Sequence, residues 1–371
     1  MKYLVTGGAG FIGSNLIRCL LECGEHQVLN VDCLTYAGNL ESLNDVSNDA
    51  NYSFSETDIV DADRIHKVFA NFQPDGVFHL AAETHVDRSI DNPAQFIQTN
   101  VIGTFNLLQA ARNIFESREG DAKNHFRFLH VSTDEVYGSL SHLSPGFSES
   151  TPYDPHSPYS ASKASSDHLV RAWHHTYGLP VLVTNSSNSY GPFQYPEKLI
   201  PVVILKALNG QPIPVYGNGE HVRDWLFVRD HAQALVRVMQ KGQVGHTYNI
   251  GGNNERQNIE LVRLLCSILD ELHPIADNSR LNDRQKSQLN QYTDLITFVP
   301  DRPGHDFRYA IDATKINSEL GWRPSEDPQS GLRKTVEWFL NNESWCNRSL
   351  SGEYQMQRLG LGSTKPFVSQ I

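Results

Sequence analysis

Apolar positions in the first half of the chain fall in short blocks separated by amphipathic stretches. Tyr3-Leu4-Val5 reads as a buried strand, Phe11 to Glu22 as the helix after it, and Gln27 to Asp32 as a second strand. The pattern recurs. Gly76 to Leu80 is a strand, Val101 to Ile114 a helix, Phe126 to Ser132 a strand, Ser160 to Tyr177 a helix and Pro180 to Thr184 a strand. Strands alternating with helices imply right-handed crossovers and a doubly wound parallel sheet, so the expected class is α/β. From about Phe193 the alternation loosens and Pro and Gly become more frequent. The expectation is one domain over residues 1–192, rejoined by returning segments at about 221–255 that include Tyr248-Asn249-Ile250. A smaller C-terminal α/β lobe is expected over 193–371. Ala276 to Gln291, rich in Asn, Gln and Ser, reads as a solvated excursion.

The 371 residues exceed a minimal domain, in keeping with two lobes. The 31 basic and 42 acidic residues give a net charge of −11, which argues against nucleic acid and anionic membrane as partners. The five cysteines form no zinc-like pair with a further His or Cys nearby, so no metal is expected and the thiols read as reduced. No run of about 18 apolar residues occurs, and a cytoplasmic protein is expected.

Thr6-Gly7-Gly8-Ala9-Gly10-Phe11-Ile12-Gly13 lies between the first strand and its helix and satisfies G-x-G-x-x-G at Gly8, Gly10 and Gly13. Residues without Cβ permit a tight turn and close approach of backbone to pyrophosphate, and the helix N-terminus offers free N–H groups. Asp32 ends the second strand 19 residues after Gly13, where a carboxylate can accept from an adenosine ribose. It would repel a 2′-phosphate, and Cys33 and Leu34 offer no cation, so NAD is favoured over NADP. The first domain is therefore read as a Rossmann domain.

Tyr159 and Lys163 in Tyr159-Ser160-Ala161-Ser162-Lys163 stand one helical turn apart on one face. A nearby ammonium and the positive nicotinamide ring would favour the phenolate of a tyrosine whose free pKa is about 10. Upstream, the strand ending Val131-Ser132 runs into Thr133-Asp134-Glu135, at the end of a parallel strand where ligands bind.

With the glycine turn and this Tyr-Lys helix the chain resembles the extended short-chain dehydrogenase/reductase family. Within it, Thr133-Asp134-Glu135 resembles the triplet of the dTDP-glucose 4,6-dehydratases. So do Leu34-Thr35-Tyr36-Ala37-Gly38-Asn39, Glu83-Thr84-His85-Val86-Asp87-Arg88-Ser89, Pro196-Glu197-Lys198-Leu199-Ile200-Pro201, Arg223-Asp224-Trp225 and Asp301-Arg302-Pro303-Gly304-His305-Asp306. The resemblance implies dehydration of dTDP-glucose to its 4-keto-6-deoxy form, in deoxysugar biosynthesis, with tightly bound NAD recycled in each turnover. It implies Tyr159 as base at the C4 hydroxyl, Lys163 and Thr133 as its supports, Glu135 as base at C5 and Asp134 as acid at C6. Cofactor contacts are implied at Gly7, Gly10, Phe11, Ile12, Gly13, Asp32, Leu34, Thr35, Gly38, Asp58, Ile59, Leu80, Ala81, Ala82, Thr99, Tyr159, Lys163 and Asn188. Substrate contacts are implied at His85, Thr133, Asn188, Lys198, Leu199, Pro214, Tyr216, Arg223, Asn258, Arg302, His305 and Tyr354. The family resemblance also suggests a homodimer packed through the helices at Val101 to Ile114 and Ser160 to Tyr177. Cys33, Thr84 and Ser189 depart from the family's usual residues. Two other readings stay open: a nucleotide-sugar 4-epimerase, which needs no Asp134 or Glu135, and a non-catalytic NAD-binding scaffold.

Overall fold

In the computed structural model, which describes residues 1–302, 304–350, 356 and 359, seven strands form one sheet. Their order is Thr247–Ile250, Val181–Ser186, Arg127–Thr133, Gly76–His79, Lys2–Thr6, Gln27–Asp32 and Tyr52–Glu56, and every neighbouring pair is parallel. Helices cover both faces, which is why the central strands read as near-continuous apolar runs. On one face Phe11–Glu22 and Val228–Lys241 bury Leu16, Ile17, Leu235 and Val238 against Val5, Phe78 and Leu129. On the other, Ala62–Phe72, Thr104–Glu116 and Pro158–Tyr177 bury Phe69, Leu107 and Val170 against Leu4, Val77 and Val181. The winding reverses between Lys2–Thr6 and Gly76–His79, which opens a crevice at the carboxyl ends of those strands.

An edge strand and the helix after it are among the elements with no counterpart in the sequence reading. Tyr52–Glu56 is the edge strand, and its half-exposed YSFSE carries too few apolar residues to stand out. The helix Ala62–Phe72 follows it, with the Asp61 carboxylate accepting from the N–H of Arg64 and Ile65 and Phe69 facing the core. The helix expected from Val101 begins instead as a π-helical stretch, Ile97–Gly103, before Thr104–Glu116 continues as α-helix. The wide turn lets the Asn100 amide accept from Glu83 N at 2.8 Å and donate to Glu83 O at 3.0 Å, which pins the segment beside the crevice.

Beyond Ser186 the chain builds a second core. A three-stranded sheet of Glu255–Gln257, Val222–Phe227 and Asn188–Tyr190 and a pair of Ile213–Tyr216 with Ile296–Val299 accompany three helices there. Those helices, Leu199–Leu208, Asn258–Leu272 and Pro328–Asn341, enclose Tyr190, Ile204, Leu265, Val336 and Phe339. The chain returns to the main sheet with Val228–Lys241 and Thr247–Ile250, and again with Thr314–Leu320, whose Ile316 and Leu320 join the first core together with Trp322. The polar stretch at 276–291 is only partly a solvated excursion. Its helix Asp283–Gln288 buries nothing. Asn278, however, is fully buried and donates to Leu208 O at 2.9 Å and Tyr292 Oη at 3.1 Å, and Leu281 packs into the second core.

Candidate active site

A single cleft follows the carboxyl ends of the main sheet. It is lined by Gly7, Gly10, Phe11, Ile12 and Gly13, then by Asp32, Thr35, Gly38, Asp58, Ile59, Leu80, Ala81, Ala82 and Thr99. Its floor is bare backbone. Gly7 sits at φ +70°, and a Cβ there would lie 2.7 Å from Ala81 N; one on Gly13 would lie 2.1 Å from Gly7 O. Gly10 opens the helix Phe11–Glu22 with no capping side chain and no acid in the first turn, so its leading N–H groups are left to an anion. The Asp32 carboxylate accepts from Ala9 N at 3.0 Å and Leu34 N at 2.8 Å. Burial raises its pKa, and these bonds oppose the rise. Bare floor, uncapped helix end and buried Asp32 together fit an adenine dinucleotide. Leu34, expected as a contact, does not line the cleft: at φ +53° it turns its N–H back onto Asp32.

The same cleft continues past Thr133, Asp134, Glu135, Tyr159, Lys163 and Asn188 to Lys198 and Leu199 of the second lobe. Tyr159 and Lys163 lie in the first turns of Pro158–Tyr177, whose start is fixed by reciprocal bonds between Ser157 and Ser160. Tyr159 is hydrogen-bonded to Thr133, and burial followed by the Glu135 charge holds its phenol well above 10. Lys163 lies on the expected face, but its ammonium is turned onto the strand, donating to Val131 O at 2.9 Å. The expected direct pull of Lys163 on the phenol is therefore not what sets Tyr159's state. Burial pushes Lys163 itself down to about 8.

Asp134 and Glu135 share the short turn Asp134–Tyr137 at the end of Arg127–Thr133. Thr133 Oγ1 accepts from Glu135 N at 3.2 Å and donates to Asp134 Oδ1 at 3.4 Å. Asp134 is 2% exposed. Burial, then the charges of Glu135 and Asp224, push its carboxyl well above the usual range. Burial also raises Glu135, which borders the cleft, but Arg302, Lys198 and Arg223 all act against the rise. Both carboxyls are raised, Asp134 the more strongly, so Glu135 is the member of the pair that gives up its proton more readily.

Several predicted substrate contacts lie outside the cleft wall. Arg302 donates to Asp87 Oδ1 at 2.7 Å and Tyr216 to Asp87 Oδ2 at 3.1 Å, so Asp87 gathers both. Sequence reasoning did not single out Asp87, although it stands in a quoted motif. Arg223 is buried over the Tyr309 ring at 4.3 Å and donates to Asp306 O at 2.9 Å. His85 Nε2 is 3.4 Å from Glu197 O. Pro214 belongs to Ile213–Tyr216, and Asn258 N donates to His221 O at 2.9 Å. His305 stacks on His221 at 3.7 Å. Asp301 lies 2.6 Å from His305 Nδ1 and 3.1 Å from His221 Nε2, so these three side chains, close enough to share a metal, are drawn onto one another. Tyr354 lies outside the described residues.

Beside the cleft, a strap of side chains that sequence reasoning also missed links Glu83 and Glu197 of its wall. Tyr36 Oη lies 3.4 Å from carboxylate oxygens of both Glu83 and Glu197. Arg88 covers the Tyr36 ring at 3.9 Å and binds Glu197 at 2.9 Å. The signal was available, since Tyr36, Glu83, Arg88 and Glu197 all stand in motifs that carried the resemblance.

The sequence profile of the family GDP-mannose 4,6 dehydratase matches residues 4–335. Among curated relatives, the dTDP-glucose 4,6-dehydratase of Neisseria meningitidis serogroup B is 56% identical over 361 residues, covering 97% of this chain and 99% of its own. That of Escherichia coli is 55% identical over 369 residues, with coverage of 97% and 99%. Among solved structures, the dTDP-glucose 4,6-dehydratase DesIV of Streptomyces venezuelae, with NAD bound, superposes with a TM-score of 0.83 at 41% identity, covering 94% of this chain and 100% of its own. The UDP-glucose 4-epimerase of Thermotoga maritima, solved with UDP-glucose, gives 0.77 at 30% identity, with coverage of 92% and 100%. The chain belongs to the dTDP-glucose 4,6-dehydratase family, within the extended short-chain dehydrogenases/reductases.

Proposed function

We propose that the chain removes water from dTDP-glucose to give dTDP-4-keto-6-deoxyglucose, a step of deoxysugar biosynthesis. The observation that carries this reading is the adjacent pair Asp134 and Glu135 beside Tyr159. Asp134 is buried and held protonated the more strongly, and Glu135 stands on the cleft wall with three cations favouring its carboxylate. An epimerase has no use for such a pair. When bound, NAD supplies the acceptor for the C4 hydride, the positive charge that offsets burial of the Tyr159 phenol, and the hydride returned to C6. Tyr159 takes the C4 hydroxyl proton while Thr133 holds the oxygen, and Lys163 supports the sugar of the cofactor. With C4 a ketone, the C5 proton is acidic enough for the Glu135 carboxylate to remove. Asp134, kept protonated, gives its proton to the departing C6 hydroxyl, which leaves as water. Return of hydride to C6 and of a proton to C5 leaves the loss of one water as the net change.

Lys198, Arg223 and Arg302 supply the positive field a diphosphate needs in a chain of net charge −11. The Tyr36 strap supports tight retention of the cofactor. A second copy of the chain is the proposed partner. Ile102, Phe105 and Tyr177 are each 39% exposed on the two helical segments already named for it, and Ile97, 47% exposed, lies just ahead of the first. The five free cysteines favour a reducing, cytoplasmic compartment.

The test is purified protein with dTDP-glucose, UDP-glucose and GDP-mannose in parallel, without added reductant. A ketosugar with altered ultraviolet absorbance in alkali, formed from dTDP-glucose, is expected. Formation of dTDP-galactose alone, or a demand for stoichiometric NAD, would overturn the reading.

A further inference from the structure

Beneath the cleft, a row of buried polar groups leads away from Lys163. Its Nζ lies 3.4 Å from Nε2 of His130, and the same Nε2 lies 3.1 Å from Oδ1 of Asp167, one helical turn beyond Lys163 on the same face. Oδ2 of Asp167 accepts from Tyr153 Oη at 2.8 Å, and that oxygen in turn accepts from Arg171 at 2.7 Å. The side chains of His130 and Asp167 have no exposure, and Lys163 is 4% exposed. An ammonium in such a place gives up its proton unless an anion faces it. On the neighbouring strand His79 is held between the hydroxyls of Thr6 and Thr104, at 2.9 and 2.8 Å, with its ring 5.0 Å from that of His130. Burial and Lys163 push His130 down to about 4, and burial lowers His79 as well, so both rings are neutral and neither supplies charge. Asp167 is kept ionised by His130 and Lys163 and is the carboxylate whose charge favours the Lys163 ammonium.

We propose that Asp167, working through the His130 imidazole, is the positioning counter-charge of Lys163, holding it as an ammonium anchored on Val131 O at the edge of the cleft. Its catalytic consequence rests on the dehydratase reading above. His130 Nε2 faces both partners, so the ring either donates to Asp167 or accepts from Lys163. In both arrangements Lys163, His130 and Asp167 together hold one positive and one negative charge, with the Arg171 guanidinium standing beyond Tyr153 at the less buried end of the row. Loss of the Lys163 proton takes from Asp167 the cation on its cleft side.

The test follows the Lys163 Nζ resonance by 15N NMR in full-length, NAD-loaded protein labelled on lysine, with Lys163→Met for assignment. In the unaltered chain it should report an ammonium at pH 7. In Asp167→Asn the midpoint should fall by at least about one pH unit. The alkaline limb of dTDP-glucose dehydration should move down by the same amount, and Asp167→Glu should restore both. A neutral amine at pH 7 in the unaltered chain overturns the proposal whether or not Asp167→Asn folds. So does an unshifted midpoint in folded Asp167→Asn. A normal titration with no dehydration of dTDP-glucose would instead sink the assigned function and leave the counter-charge standing.

Discussion

Asp134 lies almost wholly inside the protein beside Glu135 and Asp224, and its carboxyl is pushed well up. A raised folded-state pKa stabilises the protein below the ordinary carboxylate range, and that contribution is lost as pH rises through the raised value. Asp134→Asn removes the charge with little change of shape. We expect its Tm at pH 8 to exceed that of the parent by a few degrees, on the order of 1 kcal/mol, with the gap closing toward about pH 4 in calorimetry. Its dehydration rate should fall by about 100-fold or more. Glu135 must be ionised to act, so activity should rise with pH through its raised pKa. Glu135→Gln should slow C5 proton removal by roughly 10²–10⁴ and remove that acid limb, with NAD content unchanged in the purified protein. If either variant kept full turnover, its assigned role would be wrong. The residue types and spacing at Thr133, Asp134, Glu135, Tyr159 and Lys163 could be read from the chain. That Lys163 turns onto Val131 O could not, because the choice depends on which strand lies beneath the helix.

The strap joins the loop after Gln27–Asp32 to the first residues of the second lobe through one phenol, two carboxylates and one guanidinium. Tyr36→Ala should remove the aromatic span, leave Arg88 without its ring and leave Glu83 facing Glu197 with no phenol between them. We expect NAD lost on prolonged dialysis to rise at least several-fold, measured as cofactor released from heat-denatured protein; undiminished retention would remove the strap from the account. Gly13→Ala places a methyl 2.1 Å from Gly7 O. It should cost more than about 2 kcal/mol of stability and abolish cofactor content, because backbone rather than a flexible side chain must give way. Legibility followed burial here. Phe11–Glu22 and Gln27–Asp32, buried and strongly patterned, were read to the residue. Tyr52–Glu56, an edge strand with polar alternation, left no apolar block to read. The π-helical start at Ile97 had no signature either, since the partner its Asn100 meets, Glu83, is not a neighbour in sequence.

At the scale of the molecule, the exposed apolar side chains Ile97, Ile102, Phe105 and Tyr177 should be covered by a second copy. Phe105→Glu should shift the mass in light scattering toward that of one chain while leaving NAD content intact; an unchanged mass would place the contact elsewhere. The substrate side was the least legible part. Arg223 and Arg302 were recognised by motif, but their positions depend on Tyr309, Asp306 and Asp87, which lie far away in sequence.

The two cores also do not divide the chain into two halves. It leaves the main sheet after Ser186, rejoins it at Val228–Lys241 and Thr247–Ile250, leaves again, returns at Thr314–Leu320 and enters the second core once more with Pro328–Asn341 and Glu343–Ser349. Neither core can melt without dragging out covalent pieces of the other, since Leu235 and Tyr248 are as deeply packed as Leu4. The molecule should therefore lose both binding surfaces in one cooperative heat-absorption peak, and a chain cut at residue 192 should not inherit the first of them.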